Sequence, residues 1–373
     1  MNYKPYNIAR YFLLILVGLI TIGCASQSDI GHTRFEQIYF PNKSAIPRVA
    51  VCGNLLNMLP QFDATPFLER FLYGPNKVGK TFLRNPQGMA LLQNRLLVCD
   101  QGQPDVVAIN LDTGRSDTWG DSDRPPRCPV DVTVDESGRV YVADTTLRSV
   151  LVYDSDERFI EELIPTDDPQ RTFRPCTVFA KADVLYIGNL GDRRIDRWDT
   201  TSRRWMSSIK PPKDMPGLIA PTGICTTPDG VLLVADAVRG VVFRVATDGR
   251  WLSPIGKPGR GRGEFIRPKQ SCCTLSGLIF VSDAGRQSVL VFGADGKYLM
   301  EVHERAGNWN GWTLPMGLTA LTPADLPLLE VPDENGRSPE ADEYVIVSDS
   351  LGGMPLTVLG VTMGVEEGNK GAN

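Results

Sequence analysis

Six times in this chain a short apolar run ends in a small residue followed by an acid or its amide. The pairs are Cys99-Asp100, Ala143-Asp144, Gly188-Asn189, Ala235-Asp236, Ser282-Asp283 and Ser348-Asp349. Carboxylates gathered in one place could do acid–base chemistry or, with amide oxygens, hold calcium. Recurrence at a fixed place in a repeat argues for a structural part instead. Arg148, Arg239 and Arg286 follow within a few residues and are the expected partners, tying loops of neighbouring repeats.

Other reactive types are scarce. There are 2 histidines, His32 and His303, too few for a three-histidine zinc site. Of the 8 cysteines, no two form a C-x-x-C pair and none precedes a histidine, so haem attachment is not indicated. Cys99, Cys225 and Cys272 occupy slots that call for a small apolar residue, where a thiol acts as a small hydrophobe. Cys128 and Cys176 flank two successive repeat-opening prolines, and a disulfide between them is expected in an oxidising compartment. No catalytic constellation and no metal site emerges. The glycines around Gly259 to Gly263 lack a following helix, so no phosphate loop is present.

The elements that carry these residues repeat. Pro86, Pro129, Pro175, Pro221, Pro268 and Pro315 open apolar stretches at intervals of 43, 46, 46, 47 and 47 residues. After each small-acid pair comes a third run, such as Ser149-Val150-Leu151-Val152-Tyr153. Turn dipeptides such as Asp248-Gly249 and Asp295-Gly296 then introduce a fourth, weaker strand. Four short strands per repeat of this length mark a propeller, and helical periodicity is nearly absent. The expected fold is all-β, a six-bladed β-propeller. Ile46 to Cys52, apolar and ahead of the first blade, is expected to close the ring as the outer strand of the last blade, because little strand-like sequence follows Val361.

The run Gly256-Lys257-Pro258-Gly259-Arg260-Gly261-Arg262-Gly263-Glu264-Phe265-Ile266-Arg267-Pro268, followed by Val281-Ser282-Asp283 and Val289-Leu290-Val291-Phe292, resembles an NHL repeat. Blades one, two and four match it more loosely and blade three is degenerate. The resemblance implies the propeller. It implies an interaction platform only by analogy, because one fold hosts many activities. Low histidine content departs from the propeller lyases that use a histidine-rich zinc centre and from streptogramin lyases, which use a catalytic histidine. A calcium-dependent, lactonase-like hydrolase or lyase needs only oxygen ligands and stays open as the alternative. No cofactor is assigned beyond that possible divalent cation.

The first residues have another job. Lys4 and Arg10 precede an apolar stretch from Tyr11 to Ile22 that is short for a bilayer span. Thr21-Ile22-Gly23-Cys24 follows, a secretory pattern that resembles a bacterial lipobox. The resemblance implies cleavage before Cys24 and acylation of that residue, with several chains making a durable anchor. The expected division is a signal peptide at 1–23, a lipidated tether at 24–45, the propeller at 46–361 and a tail at 362–373. The expected location is the bacterial cell envelope, and Ala25 after the cysteine favours the outer membrane, facing the periplasm or the cell surface. An accessory role in an envelope electron-transfer or secretion complex rests on that location alone. The formal net charge of −5 argues against nucleic acid as a partner.

The candidate binding rim follows from the repeat. Arg84, Arg127, Arg174 and Arg267 precede or nearly precede blade-opening prolines, so superposed blades would crowd them at one mouth of the channel. Arginine suits carboxylate or phosphate capture, and the competing reading is that each is solvated or bonded locally. Trp309 and Trp312, on a glycine-rich connection, either stack on a ligand or cover the ring. Blade six carries an acidic insertion from about Leu321 to Glu343, a further recognition candidate. The chain is therefore expected to be a membrane-anchored scaffold, holding the lipid bilayer through Cys24 and a protein partner in the envelope through one propeller face.

Overall fold

The computed structural model describes residues 38–40, 47–59, 83–165, 171–303, 311–327 and 341–363. Cys24, Trp309, most of the acidic insertion and the ends of the chain lie outside them. Six antiparallel sheets form, one per repeat. Naming strands a to d in chain order, blade one is Pro86–Leu92, Arg95–Asp100, Asp105–Asn110 and Ser116–Trp119. Blade two runs from Pro129–Val134 to Phe159–Leu163, blade three from Pro175–Lys181 to Arg204–Ile209, blade four from Pro221–Thr226 to Trp251–Ile255, and blade five from Pro268–Cys273 to Tyr298–Val302. Each a strand packs against the a strand of the next blade, and Pro315–Leu321 of blade six returns to Pro86–Leu92. The ring is closed and the a strands surround its axis.

Closure comes from the N-terminal side. Arg48–Asn54 pairs antiparallel with Leu356–Thr362, and Ile38–Phe40 adds one further strand outside it. Val49 and Val51 are buried among residues of blades five and six. The sequence expectation for this closing strand is met, because without it the Leu356–Thr362 strand would present an open edge. At the same seam, Ser350 Oγ donates to Pro86 O (2.6 Å) and accepts from Gln87 Nε2 (2.7 Å), while Ser348 Oγ donates to Gln87 O (2.7 Å).

The apolar clusters explain the residue pattern. Each lies as a wedge between two adjacent blades, such as Val98, Ile109, Ile346 and Val358 between blades one and six. Strands b and c are covered on both faces, so they read as continuous apolar runs, as in Val140–Asp144 and Ser149–Tyr153. Such burial selects β-branched and aromatic residues along the whole strand. The d strands are half exposed and correspondingly weak in sequence. Trp312 is part of the wedge between blades five and six, with Nε1 donating to Thr357 Oγ1 at 3.1 Å. It is a core residue, which corrects its placement on the rim.

Candidate interaction face

The repeated acid and the repeated proline are one device. Pro86 pairs with Asp100, Pro129 with Asp144, Pro175 with Asn189, Pro221 with Asp236, Pro268 with Asp283 and Pro315 with Asp349. Every one of these places is therefore on the same face of the ring. Each acid accepts hydrogen bonds from two kinds of backbone amide. Asp144 takes Arg127 N (2.6 Å) and Cys128 N (2.8 Å) from the segment entering its blade, and Thr146 N and Leu147 N from its own b–c turn. Asp236 does the same with Ile219, Ala220, Val238 and Arg239. Asp283 does so with Ile266, Arg267, Gly285 and Arg286. A buried carboxylate needs such donors. The structural reading of the acids stands, but their partners are main-chain amides of the same blade. Arg239 instead donates to Gly217 O, and Arg286 pairs with Glu301.

Blade three shows why an asparagine is allowed. Asn189 Oδ1 accepts from Arg174 N and Gly191 N, while its Nδ2 donates to Asp196 Oδ2 at 2.8 Å. The charge has moved to Asp196, which is fully buried and held by Arg171, Arg194 and Ser208.

This device consumes the backbone of the four rim arginines and leaves their side chains free. Arg84 N, Arg127 N, Arg174 N and Arg267 N are all bound by the repeated acid or amide. All four residues are exposed, and none forms a salt bridge among the described residues. The a–b and c–d hairpins lie on the opposite face, and there acids and bases share the turns, as Asp248 with Arg250 and Asp295 with Lys297. A chain with net negative charge thus presents one basic face.

On the axis the channel is closed by side chains. A bulge follows each opening proline and turns the third residue of the a strand inward. These residues are Gly88, Asp131, Thr177, Gly223, Gln270 and Gln270's neighbour in blade six, Gly317. Asp131 Oδ2 accepts from Thr177 Oγ1 (2.6 Å), Val178 N (3.0 Å) and, across the ring, Gln270 Nε2 (3.3 Å). Its Oδ1 accepts from Val132 N. Blade one must carry glycine here, because a Cβ on Gly88 would sit 1.9 Å from Asp131 Oδ1. Burial pushes the Asp131 carboxyl up from its ordinary 3.8 to about 6, with the hydrogen bonds opposing the shift. Lys269, next to Gln270 in the chain, is half-buried, and desolvation together with nearby Arg267 lowers its pKa.

The two cysteines at this mouth do not meet. Cys128 Sγ accepts from Gln101 Nε2 of blade one at 3.5 Å. Cys176 Sγ donates to Gly188 O and Pro221 O, toward blade four. Both are free thiols. One stands before the proline bulge and the other after it, so their side chains diverge. Burial raises Cys176 to about 12, far from a reactive thiolate.

The axial residues do not suit a divalent cation. Asp131 is a single carboxylate with both oxygens hydrogen-bonded, and among the described residues no three His, Cys, Asp or Glu side chains group to hold a metal ion.

Comparison with family models and with curated proteins found no match. Solved structures share the fold. A gluconolactonase from Xanthomonas campestris superposes with a TM-score of 0.53 at 16% identity, covering 85% of this chain and 90% of that one. A catalytically inactive virginiamycin B lyase from Staphylococcus aureus, with quinupristin, gives 0.52 at 13% identity, covering 76% and 98%. A streptogramin B lyase gives 0.50 at 14%, covering 76% and 95%. At these identities the likeness is one of fold, a six-bladed β-propeller.

Proposed function

We propose that the protein is a binding scaffold of the bacterial envelope, anchored through Cys24, whose basic propeller face takes an acidic protein partner. One observation carries this reading. The residues preceding the blade-opening prolines are fixed by their amides, so four guanidinium groups stand free on one face of an acidic chain. Fixed backbone with free arginine gives preorganised donors for carboxylates. Complementary charge steers encounter and sets specificity.

The lactonase-like or lyase alternative is supported by the neighbours' fold and by one axial carboxyl, Asp131, raised to about 6. Among the described residues no three His, Cys, Asp or Glu side chains group to hold a cation, so the scaffold is the better reading.

The test is quantitative affinity capture from detergent-solubilised membranes with the native chain and with Arg127→Ala/Arg174→Ala. The native chain is expected to enrich acidic envelope proteins and the variant to lose them at unchanged melting temperature. Equal capture by both would remove the proposal. Stabilisation by calcium or magnesium would favour the alternative.

A further inference from the structure

The basic face differs from blade to blade in a way that the six-fold repeat does not require. In blades one, three and five the residue two past the acid is glycine: Gly102, Gly191 and Gly285. The incoming segment lies directly on each turn. A Cβ would come within 2.4 Å of Arg84 Cβ at Gly102, 2.1 Å of Thr172 O at Gly191 and 2.5 Å of Ile266 Cγ2 at Gly285. These turns are low, and beside each stands a free arginine: Arg84, Arg174 or Arg267.

Blades two, four and six differ. No glycine occupies that place: Val238 (64% exposed) and Leu351 (66% exposed) fill it in blades four and six, and in blade two Thr146 fills it, with the exposed Leu147 one residue further on. The same carboxylates fix their position. Leu147 N shares Asp144 with Arg127 N, Val238 N shares Asp236 with Ala220 N, and Leu351 N shares Asp349 with Leu314 N. These tips and the four rim arginines, Arg127 of blade two among them, therefore belong to one rim. An exposed leucine alone is ordinary. Three apolar tips on the b–c turns of one face, each tied to the acid that also fixes the incoming segment, set apolar groups beside its arginines.

We propose that this face docks an acidic protein segment that also carries leucine-like side chains. Arg84, Arg127, Arg174 and Arg267 take its carboxylates, and Leu147, Val238 and Leu351 take its apolar groups. The inference rests on the scaffold reading above and names the chemistry of the partner. Charge complementarity selects the acidic segment. The apolar tips supply contacts that a purely electrostatic face lacks, and the rigid turns that hold them limit the ordering cost of binding.

The probe is a fluorescein-labelled peptide of alternating glutamate and leucine, titrated into the chain from residue 24 onward and read by anisotropy. Controls are a glutamate–serine peptide, a lysine–leucine peptide and vesicles of phosphatidylglycerol. The glutamate–leucine peptide is expected to bind about tenfold more tightly than glutamate–serine, and lysine–leucine not at all. Leu147→Ser/Val238→Ser/Leu351→Ser is expected to abolish that tenfold preference while leaving glutamate–serine binding unchanged. These sites are exposed, and equal melting temperatures will show that the fold is kept. Arg84→Ala/Arg174→Ala/Arg267→Ala is expected to weaken both acidic peptides.

If the serine variant keeps the preference, this inference falls while the basic-face reading survives through the arginine variant. If neither acidic peptide binds the native chain, both fall. Binding to the vesicles in preference to the peptides would also overturn it, since the face would then be a lipid-docking surface.

Discussion

Replacing Asp131 by Asn isolates the proton balance of the closed axis. Burial raises the folded carboxyl to about 6, against an ordinary value of 3.8. A raised acid favours the folded state while protonated, so its contribution is present at low pH and is lost as pH rises through about 6. With these two values, linkage gives a loss of about 2 kcal/mol between roughly pH 4 and pH 7. Asn does not titrate. Its oxygen can still face Thr177 Oγ1 and Val178 N, while its amide faces Val132 N–H, a cost that does not change with pH. The assay is urea unfolding of both proteins at several pH values. The difference in unfolding free energy should move by about 2 kcal/mol in favour of the Asn variant as pH rises. A difference that stays flat across that window would refute the argument that Asp131 is desolvated on the axis.

Other outcomes follow from the same geometry. Asp236→Ala strips four backbone amides of their acceptor, and should cost at least about 3 kcal/mol by denaturant unfolding. Asp236→Asn should cost less than the alanine variant but remain destabilising, because Phe243 stands where blade three has Asp196 to accept the amide. Deleting residues 48–54 removes the buried Val49 and Val51 and exposes the Leu356–Thr362 edge, so the melting temperature should fall for the whole propeller by the equivalent of about 4 kcal/mol or more. Gly88→Ala places a methyl on Asp131 and should destabilise by about 1–3 kcal/mol. Cys128→Ser should melt with the native chain in both oxidising and reducing buffer; a large drop seen only under oxidation would show a bridge to Cys176.

The architecture was legible because each of its parts leaves a local mark. Proline, a small residue and an acid recur at one spacing, and strands b and c are apolar throughout because blades cover both faces. The closing strand could be inferred from the shortage of strand sequence after Val361. Several features had no local mark. Asp131 and Gln270 are 139 residues apart in sequence yet meet across the axis, and only ring closure brings them together. The acid's partners were missed because backbone amides have no sequence signature, whereas Arg148, Arg239 and Arg286 stood conspicuously nearby. Cys128 and Cys176 looked adjacent until the proline bulge sent their side chains apart. Trp312 read as a loop aromatic because its partner, Thr357, lies 45 residues further on. The small residue before each acid becomes clear only in the ring, where Ser282 Oγ reaches Met316 O of the next blade at 2.6 Å.

Arginine-selective labelling with phenylglyoxal, read by mass spectrometry, tests the central claim most directly. Purified protein is compared with protein cross-linked in intact cells. Arg84, Arg127, Arg174 and Arg267 should all be labelled in the purified chain and protected together in the cells, while Arg158 and Arg250 on the opposite face stay labelled in both. Equal labelling of the four arginines in the two samples, or protection confined to the opposite face, would contradict the assignment of the basic face as the binding surface.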